Sequence, residues 1–597
     1  MKTKLPIEIL FTFTFFLFTC AALAEIRFVS TTGSSVPPYT TWATASDSIQ
    51  KAINICNNGD TVIVANGTFK EALLINKRIA LIGMSKDSTI IDGRGMIGLV
   101  DTSTTIYLKA DCKIENFHLI GKNINEYLLW AMNFLVKVEN CLVENARHTF
   151  ILYGRSSEIK NVIAKNFDRQ FVFWTSVNDT NNPVIENCLA YKNRNSSPII
   201  VLEYGGNPII RSNIFSFDVN SNYGTAIDQW GWINRVTIEN NLFYGCNSYS
   251  AVTTLVVDSI KIINNTSKKK RKVGNAFWLT YGEKAIIRNN IMTDNEEALY
   301  TYYNQANSNY NLYWNNLRNT GGHGTMGQND IIADPMFVKD TIPIVGSGDF
   351  HLQKYSPGID AGDPSILDID DSRSDIGFYG GPYGEEYKYL DLAPQPPKGL
   401  SGIIDSGLIK LNWGKNTEND FNYYKLFRDT VSSFTADSTS FVLILSDTFY
   451  NETYPVKAGK YFYKLTAVDS QRNESLPSDE IGVSLTSLNH NEPLIIQDYK
   501  LYQCYPNPFN SSTVIPFRLK EPGYVKINIY DIKGEMVGSV FNGDKNSGYH
   551  EVNFIPGINT TGSSKDLASG IYLYSIDVIG KNSIPAFSDI KKMVYLK

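Results

Sequence analysis

One short phrase recurs along the chain and limits what the chain can fold into. Each copy has an aliphatic residue, usually a charged residue, and then asparagine, which only Ser212 replaces. The copies begin at Ile114, Val138, Ile159, Ile185, Ile210, Ile238, Ile262 and Ile287, at intervals of 21 to 28 residues. A repeat of this length is typical of a solenoid, in which each repeat forms one turn of a rod.

The columns of this repeat indicate β structure. An aliphatic position next to a charged one matches a strand with one buried face. Asparagine tolerates the left-handed backbone of a sharp bend, and its stacked amides can hydrogen-bond along the axis. A second apolar strand follows each bend, and a third lies near Tyr127–Met132, Thr149–Tyr153, Gln170–Trp174, Pro198–Tyr204, Thr225–Trp230, Ala251–Val257, Asn275–Tyr281 and Ala298–Tyr303. Three strands a turn predict a parallel β-helix, whereas the abundant Asn, Gly and β-branched residues argue against a helical repeat.

The N-terminus is typical of a secretory signal, which we place at residues 1–24. Lys2 and Lys4 precede an apolar run over residues 7–18, and Ala22-Leu23-Ala24 fits a signal-peptidase site. A lipoprotein signal acylated at Cys20 is the second interpretation. No later stretch is expected to span a bilayer, so we expect a secreted or outer-cell-surface protein.

A short helix and the cysteines complete the prediction for the rod. Ser46-Asp47 resembles a helix cap, and the apolar residues Ile49, Ala52, Ile53 and Cys56 follow at helical spacing. Such a helix can cover the open end of a solenoid. Cys141 and Cys188 occupy one column two turns apart, roughly 9–10 Å at one strand spacing per turn, which is too far for a disulfide. We therefore predict unpaired, buried cysteines.

The opening and closing turns carry a family resemblance. The phrases Gly59-Asp-Thr-Val, Gly67-Thr-Phe, Ile79-Ala-Leu-Ile-Gly83 and Ile90-Ile-Asp-Gly93 resemble the first coils of the pectate/pectin lyase-like superfamily. Ala333-Asp-Pro-Met-Phe, Ser356-Pro-Gly-Ile-Asp-Ala-Gly362 and Asp375-Ile-Gly are similar to the last coil of secreted β-helix repeat proteins. The resemblance implies a right-handed parallel β-helix over residues 25–385 and action on a polysaccharide.

Two further domains are predicted beyond a Pro-rich linker at 386–397. Residues 398–486, with Trp413 and the run Tyr461-Phe-Tyr-Lys-Leu-Thr-Ala-Val-Asp469, resemble a fibronectin type III sandwich. After a linker at 487–500, residues 501–597 resemble the C-terminal sorting domain of type IX secretion substrates, through Tyr505-Pro-Asn-Pro-Phe-Asn510 and Ala568-Ser-Gly-Ile-Tyr572. That resemblance implies the secretion machinery as a partner; a plain immunoglobulin-like module is the alternative. The predicted fold class is all-β, a right-handed parallel β-helix followed by two small β-sandwich domains.

Aromatic residues recur on the predicted third strands. Tyr153, Trp174, Tyr204, Trp230 and Tyr281 fall in one column, with Trp278 close by. Facing outward, such a column would bind sugar rings by stacking; facing inward, it would be core. Alternation along a strand does not show which face is outside, so both interpretations stand.

Acids and bases near these strands are weaker signals. A lyase needs a base and a cation beside an acidic sugar, and our candidates are Arg155, Arg169, Glu203 and Asp228. Scattered polar residues are more often solvated surface, and the phrases of polygalacturonases and pectin methylesterases are missing. The acidic cluster from Asp368 to Asp375 is either a calcium site or a solvated turn, and no other metal or cofactor is expected.

These observations lead to one functional hypothesis and one rival. We expect engagement of an extracellular polysaccharide, as a lyase or glycoside hydrolase acting on acidic glycans. The rival is a non-catalytic adhesive or structural β-helix protein. The net charge of -5 gives no electrostatic case for nucleic acid, and a monomer is expected.

Overall fold

The structure is a computed structural model. It describes residues 24–97, 103–123, 127–174, 182–192, 198–203, 205–217, 224–245, 250–269, 272–281, 284–303, 306–340, 348–405, 408–452, 459–485, 498–556, 567–580 and 584–597. Within them the chain is almost entirely β, with a parallel β-helix followed by small antiparallel sheets, so the predicted fold class is confirmed. The predicted signal at 1–24 lies outside the described residues except for Ala24.

Three parallel sheets run along the β-helix, and each turn of the chain adds one strand to each. Sheet 1 contains Thr61–Val64, Ile79–Gly83, Cys112–Glu115, Val136–Glu139, Glu158–Lys160, Val184–Glu186, Ile209–Arg211, Lys284–Arg288 and Ala306–Asn309, with Ile26–Val29 at its edge. Sheet 2 contains Gly67–Phe69, Thr89–Asp92, His118–Ile120, Leu189–Lys192, Ile214–Phe217, Leu242–Tyr244, Thr266–Lys268, Ile291–Thr293, Leu312–Trp314 and Ile331–Ile332. Sheet 3 contains Leu73–Ile75, Thr104–Leu108, Tyr127–Met132, Ile200–Glu203, Asn275–Tyr281, Glu297–Thr301 and Arg318–Gly322.

Four long strands turn a corner and belong to two sheets each. Leu142–Tyr153 and Ile163–Trp174 pass from sheet 2 into sheet 3. Ile227–Glu239 and Ser250–Ile263 pass from sheet 3 into sheet 1 of the next turn. Strands of successive turns therefore pair in parallel at a spacing of about 4.8 Å, which places equivalent residues in rows along the axis.

The bend after sheet 1 has the predicted backbone. All eight third-column residues have a left-handed conformation, with φ between 47° and 61°, and they are Asn116, Asn140, Asn161, Asn187, Ser212, Asn240, Asn264 and Asn289. Some of these amides pair as expected, since Asn140 Nδ2 donates to Asn116 Oδ1 and Asn289 Nδ2 donates to Asn264 Oδ1. Asn240 instead donates to the carbonyls of Phe378 and Gly380, in a segment that crosses this corner.

A continuous amide ladder lies one position further along the chain. Its members are buried, and each side-chain amide donates to the next across 2.9–3.0 Å, in the order Asn213, Asn241, Asn265, Asn290 and Asn311. Asp330 accepts from the last amide and ends the ladder. The same column holds Phe117, Cys141, Val162 and Cys188 in the earlier turns, so a polar row replaces an apolar one midway along the rod.

The rod is covered at its first end and, toward its last turns, along the outer face of sheet 2. At the first turn the helix Ile49–Ile55 buries Ile49, Ala52 and Ile53, and Ser48 is its N-cap rather than the predicted Ser46-Asp47 pair. The Glu71 carboxylate accepts the amides of Ile49 and Gln50 and completes the cap. Toward the last turns the two-stranded sheet Phe337–Lys339 and Asp349–Leu352 packs over sheet 2.

The described cysteines are unpaired, as predicted. Cys141 and Cys188 are buried and free, and so are Cys56, Cys112 and Cys504. Burial raises the pKa of the Cys141 thiol, and backbone hydrogen bonds from Phe117 and Asn116 offset only part of this shift. Both residues of the column therefore act as small apolar side chains in the core.

Two pairs of antiparallel sheets follow the β-helix. Ser401–Asp405, Leu408–Asn412 and Phe449–Glu452 face Phe441–Leu445, Phe421–Asp429, Gly459–Asp469 and Ile481–Leu485, around a core that contains Trp413. Lys500–Leu501, Thr513–Leu519 and Gly548–Phe554 face Met536–Lys545, Gly523–Tyr530, Gly570–Ile579 and Pro585–Tyr595. These strands fall inside the domain boundaries proposed from the sequence, except that Lys500–Leu501 begins at the last residue of the predicted linker, and the boundaries themselves stay predictions.

Candidate functional site

The outer surface of sheet 3 carries two rows of side chains, which we identify from the register. The inward row between them is buried and includes Leu152, Leu202 and Leu279. The first outer row consists of Tyr107, Trp130, Ile151, Val201, Asp228, Thr253, Trp278 and Tyr300. Between Ile151 and Val201, the backbone of Val172 pairs with both. The second outer row starts two residues later in each strand and includes Met132, Tyr153, Glu203, Trp230, Leu255, Thr280 and Tyr302.

The aromatic column predicted from the sequence faces outward. Trp230 is 50% exposed and Tyr281 is 47% exposed, while Tyr153 and Trp278 are half-buried. Core residues on the same strands are fully buried, so these rings are not part of the interior. Trp174 lies in a described strand but its side chain is not described, and Tyr204 lies outside the described residues.

The register corrects the column in two places. Glu203, rather than Tyr204, lies opposite both Trp174 and Trp230. Tyr281 pairs with Val256, which pairs with Trp232, so Tyr281 does not follow Trp230 in its row. The second difference comes from a backbone irregularity that shifts the chain by about one residue, which hydrophobic periodicity does not report. The first has no such cause, because Ile200–Glu203 pairs with both neighbouring strands without a register shift.

A bulge at residues 229–232 causes the second shift. Buried Gln229 accepts the Leu255 amide through Oε1 at 2.7 Å, and its side-chain amide donates to the Gly231 carbonyl. Gly231 has a φ of 80°, which glycine adopts without the strain that a Cβ atom would add. The bulge leaves Trp230 and Trp232 each 50% exposed on the edge of the outer face.

A groove lies beside these rings on the outer face. It has a volume of about 490 Å³ and is lined by Thr225, Asp228, Thr253, Leu255, Trp278, Thr280 and Tyr302. Trp278 packs against Tyr300 with a centroid distance of 5.2 Å, and Tyr281 stacks on Tyr303 at 4.7 Å and 15°. The groove thus combines aromatic walls, three threonine hydroxyls and one carboxylate.

The N-terminal part of the same face is more apolar. Ile151 and Val201 are buried although they point away from the interior, and Tyr127, Trp130 and Tyr153 pack around them. Burial, and to a smaller extent the Glu203 carboxylate, raises the pKa of the Tyr153 phenol. Tyr153 therefore contributes mainly apolar surface, near the Glu203 carboxylate in the same row.

Two of the four acid–base candidates come together. Val201 pairs with Asp228 and Glu203 pairs with Trp230, so Glu203 and Asp228 are diagonal neighbours with Cα atoms roughly 8 Å apart. Arg155 lies two residues after the end of the strand Leu142–Tyr153, and its guanidinium lies 4.0 Å from the Asp111 carboxylate. The backbone of Arg169 pairs with His148 near the preceding corner, and its side chain is not described.

The basic run at 268–272 and the acidic cluster at 368–375 both contain side chains with protein partners. Lys268 is buried between Asp294 and Asp340, and Lys269 donates to the Val273 carbonyl, so neither faces the groove. In the acidic cluster, Asp368 accepts the amides of Asp375 and Gly381.

Asp375 is also occupied by protein donors. Its carboxylate accepts from the Asp360 amide and the Tyr389 hydroxyl, and burial raises its pKa to about 6. The acidic cluster therefore serves as a set of acceptors for turns and hydroxyls, not as a ring of oxygens around one point.

Among the described residues, one set of three carboxylates does converge, in a different place. Asp391, Asp420 and Asp469 have oxygens within 4.8 Å of one another. The Asn473 side-chain amide donates to both Asp391 and Asp469, so a protein donor already bridges two of the three.

Comparisons with known proteins give structural neighbours only. No family model and no curated protein matches the chain. An Fn3-like protein from Clostridium thermocellum is 29% identical over 16% of this chain and 99% of its own, with a TM-score of 0.14. Pectin methylesterase PemA from Erwinia chrysanthemi is 12% identical over 39% of this chain and 81% of its own, with a TM-score of 0.25. The spore cortex lytic enzyme SleM from Clostridium perfringens is 20% identical over 18% of this chain and 32% of its own, with a TM-score of 0.13.

These neighbours include a pectin methylesterase and an Fn3-like protein, but at these TM-scores they carry no argument about function. The β-helix is established by the register of this chain's own strands. None of the described helices has both the length and the apolar content needed to cross a membrane.

Proposed function

We propose that the chain engages an extracellular polysaccharide along the outer face of sheet 3. The observation that carries the proposal is the exposed set of aromatic rings around the groove, Trp230, Trp232, Trp278, Tyr281 and Tyr302. Aromatic faces stack on the C–H faces of sugar rings, and neighbouring hydroxyls can order the sugar hydroxyls. Exposed aromatics at successive turns suit a long ligand better than a small one, because each turn adds a contact at strand spacing.

Affinity gel electrophoresis of the full chain against a panel of polysaccharides tests this proposal. At least one polymer should retard the wild-type protein, and the double variant Trp230→Ala/Trp278→Ala should migrate unretarded. Circular dichroism and thermal unfolding of the variant should match the wild type, since both side chains are partly exposed. Equal retardation of the two proteins would place the binding elsewhere.

Hydrolysis is a second candidate function, favoured by the position of Glu203 and Asp228. The two carboxylates project from neighbouring strands on the outer face, beside the aromatic rows. A pair of carboxylates on either side of a glycosidic bond is the usual requirement of glycoside hydrolysis, with one as acid and the other as base or nucleophile. Release of reducing ends, abolished separately by Glu203→Gln and Asp228→Asn, is the expected result.

A lyase is less well supported. It needs a base and a cation together at the sugar, and Arg155 lies at a corner beside Asp111. Absorbance from an unsaturated uronate would nevertheless establish it. Binding without any product supports the rival, a non-catalytic adhesive protein that uses the same face. A purely structural rod would not need the exposed rings around the groove.

The C-terminal segment 501–597 is proposed to direct export and to interact with secretion machinery. The support is its resemblance to type IX sorting domains over the whole segment, together with the signal-like N-terminus. In a host with that machinery, deletion of 501–597 should leave the protein in the periplasm, whereas the full chain should reach the surface or the medium. Unchanged export of the truncated chain would show that the segment is an ordinary β-sandwich.

A further inference from the structure

The charged side chains on the sheet 3 segments around the groove are all of one sign. In the neighbouring segments 200–203, 227–230, 250–255 and 275–280, the sequence contains two charged residues, Glu203 and Asp228, and neither lysine nor arginine. Both carboxylates lie on the outer rows, and Asp228 lines the groove itself. The face that carries the aromatic rings is therefore locally acidic.

The remaining groove residues are uncharged hydrogen-bonding or apolar groups. Thr225, Thr253 and Thr280 offer hydroxyls, while Leu255, Trp278 and Tyr302 offer apolar surface. These are groups that bind the hydroxyls and C–H faces of a sugar. A uronate would instead bring one negative charge per sugar unit within a few ångströms of Asp228, with unfavourable Coulomb energy that salt screens only in part.

The described basic residues that could compensate are engaged elsewhere. Lys268 is held between Asp294 and Asp340 on the sheet 2 side, and Lys272 donates to the Asn315 amide oxygen. In sheet 1, Lys113, Lys137 and Arg211 pair with glutamates on their own face. On sheet 3 itself, Arg318 pairs with Glu297 at the start of its strand.

We propose that the groove selects an uncharged polysaccharide and discriminates against polyuronates. Sugar rings stack on Trp278 and Tyr302, the three threonines and Asp228 take the sugar hydroxyls, and Asp228 with Glu203 repels a carboxylated chain. This inference rests on the proposed function, because it concerns the ligand of the same groove. It replaces the expectation from the sequence that the glycan is acidic.

The test uses two matched pairs of polymers that differ in charge on a common backbone. One pair is polygalacturonate and the same polymer after its carboxyl groups are reduced to alcohols; the other is carboxymethyl cellulose and hydroxyethyl cellulose. The full-length protein is measured by affinity electrophoresis at low salt. In any pair that binds, the uncharged member should bind at least about tenfold more tightly, a free-energy difference of about 1.4 kcal/mol.

Variants separate the effect of charge at the groove from the effect of its shape on polymer binding. Asp228→Asn should reduce the difference in affinity between the uncharged and the charged polymer, and Asp228→Lys should reverse it. Asp258→Lys makes the same change of charge at an exposed residue near the next corner and should leave that difference unchanged. Tighter or equal binding of the charged polymer by the wild-type protein would overturn the inference and leave the proposed function standing. Failure of all four polymers, and of the wider panel above, would overturn both.

Discussion

The outer faces of sheet 1 and sheet 3 belong to the same turns of the same rod, and they are built differently. On sheet 1, charged side chains of opposite sign follow one another from strand to strand. Lys113 contacts Glu139 at 2.8 Å, Lys137 contacts Glu158 at 2.7 Å, and Arg211 contacts Glu186 at 2.6 Å. On sheet 3 the equivalent rows are mostly aromatic, aliphatic and hydroxylic, with only two carboxylates on the groove strands.

The charges on sheet 1 satisfy one another. Hydrogen bonds that Lys113 donates to Glu139 and Glu115 raise the pKa of its ammonium, and the hydrogen bond from Lys137 lowers the pKa of Glu158. Partial burial opposes ionisation of Glu186, but hydrogen bonds from Arg211 and Lys160 outweigh it and lower the pKa of Glu186. The charged groups of this face already have protein partners, so few of them are available to contact a ligand.

The difference between the faces shows where function can be sought on a regular rod. Both faces surround one interior, so the interior does not distinguish them. Sheet 3 exposes large rings that contribute little to the fold, whereas sheet 1 exposes charges that stabilise neighbouring strands. The groove on sheet 3 is therefore the surface whose side chains the fold alone does not explain.

The largest effect of a substitution is expected in the interior that both faces share. Asn265 donates to the carbonyls of Ile238 and Ile263 and to Asn290, and it accepts from the Asn241 amides. Asn265→Ala leaves several of these buried groups without partners and should destabilise the adjoining turns by on the order of 3 kcal/mol. Hydrogen exchange of the strands Ile227–Glu239 and Ser250–Ile263 measures the loss.

Asn207→Ala is the matched control for the ladder. Asn207 also pairs with an asparagine of the preceding turn, Asn182, but at the surface. Its loss should cost less than about 0.5 kcal/mol, because water replaces the partner. Similar costs for the two substitutions would mean that the buried ladder has no special role in stability.

The next largest effect concerns sheet 3 alone. Trp278→Ala removes one wall of the groove and should weaken polysaccharide binding by about 2 kcal/mol, roughly thirtyfold, from the apolar area that a bound sugar would cover. Lys137→Ala on sheet 1 should leave affinity unchanged. Equal losses from the two variants would remove the distinction between the faces.

A smaller effect is expected on sheet 1. Glu186→Gln should lower the free energy of unfolding by about 1 kcal/mol or less at neutral pH, with no change in affinity for glycan. The pKa of Glu186 is lowered in the folded state, so its contribution is complete above the usual glutamate pKa and is lost as pH falls through the folded value. Unfolding measured against pH should therefore show a shallower acid decline in the variant.

The smallest effect is that of salt on binding. If the ligand is uncharged, raising ionic strength from about 0.05 M to about 0.5 M should change its affinity less than about twofold, because screening acts on charged pairs. Under the same conditions, the stabilisation from exposed ion pairs on sheet 1 should fall by about a few tenths of a kcal/mol. A steep loss of affinity with salt would indicate cationic contacts to the ligand.

The repeat and the bend could be predicted because the same sequence pattern occurs in every turn. Eight residues of one column all adopt the left-handed conformation, and an error at one copy is corrected by the others. The bend column forms some of the predicted amide pairs, but the continuous ladder lies one position later, where the doubled asparagines such as Asn240-Asn241 and Asn264-Asn265 carry the signal. The first asparagine supplies the bend, and the second occupies the buried position that Cys188 fills earlier.

The groove could be predicted only in part. Aromatic residues marked the correct face, but their register depended on a bulge at Gly231, and the position opposite Trp230 belongs to Glu203 rather than Tyr204. A local irregularity of one residue leaves the hydrophobic pattern intact and moves every later side chain. The groove residues Thr253, Leu255 and Thr280 have no chemical signature in the sequence, so only their position in space identifies them.

Hydroxyl-radical footprinting with and without a polysaccharide that retards the protein tests the central claim most directly. The account predicts that bound ligand reduces oxidation of Trp230, Trp278 and Tyr302, which lie on or beside the groove, and leaves Tyr383 unprotected next to Arg211 of sheet 1. Protection confined to the antiparallel domains, or unchanged oxidation of Trp278 at saturating ligand, would contradict it.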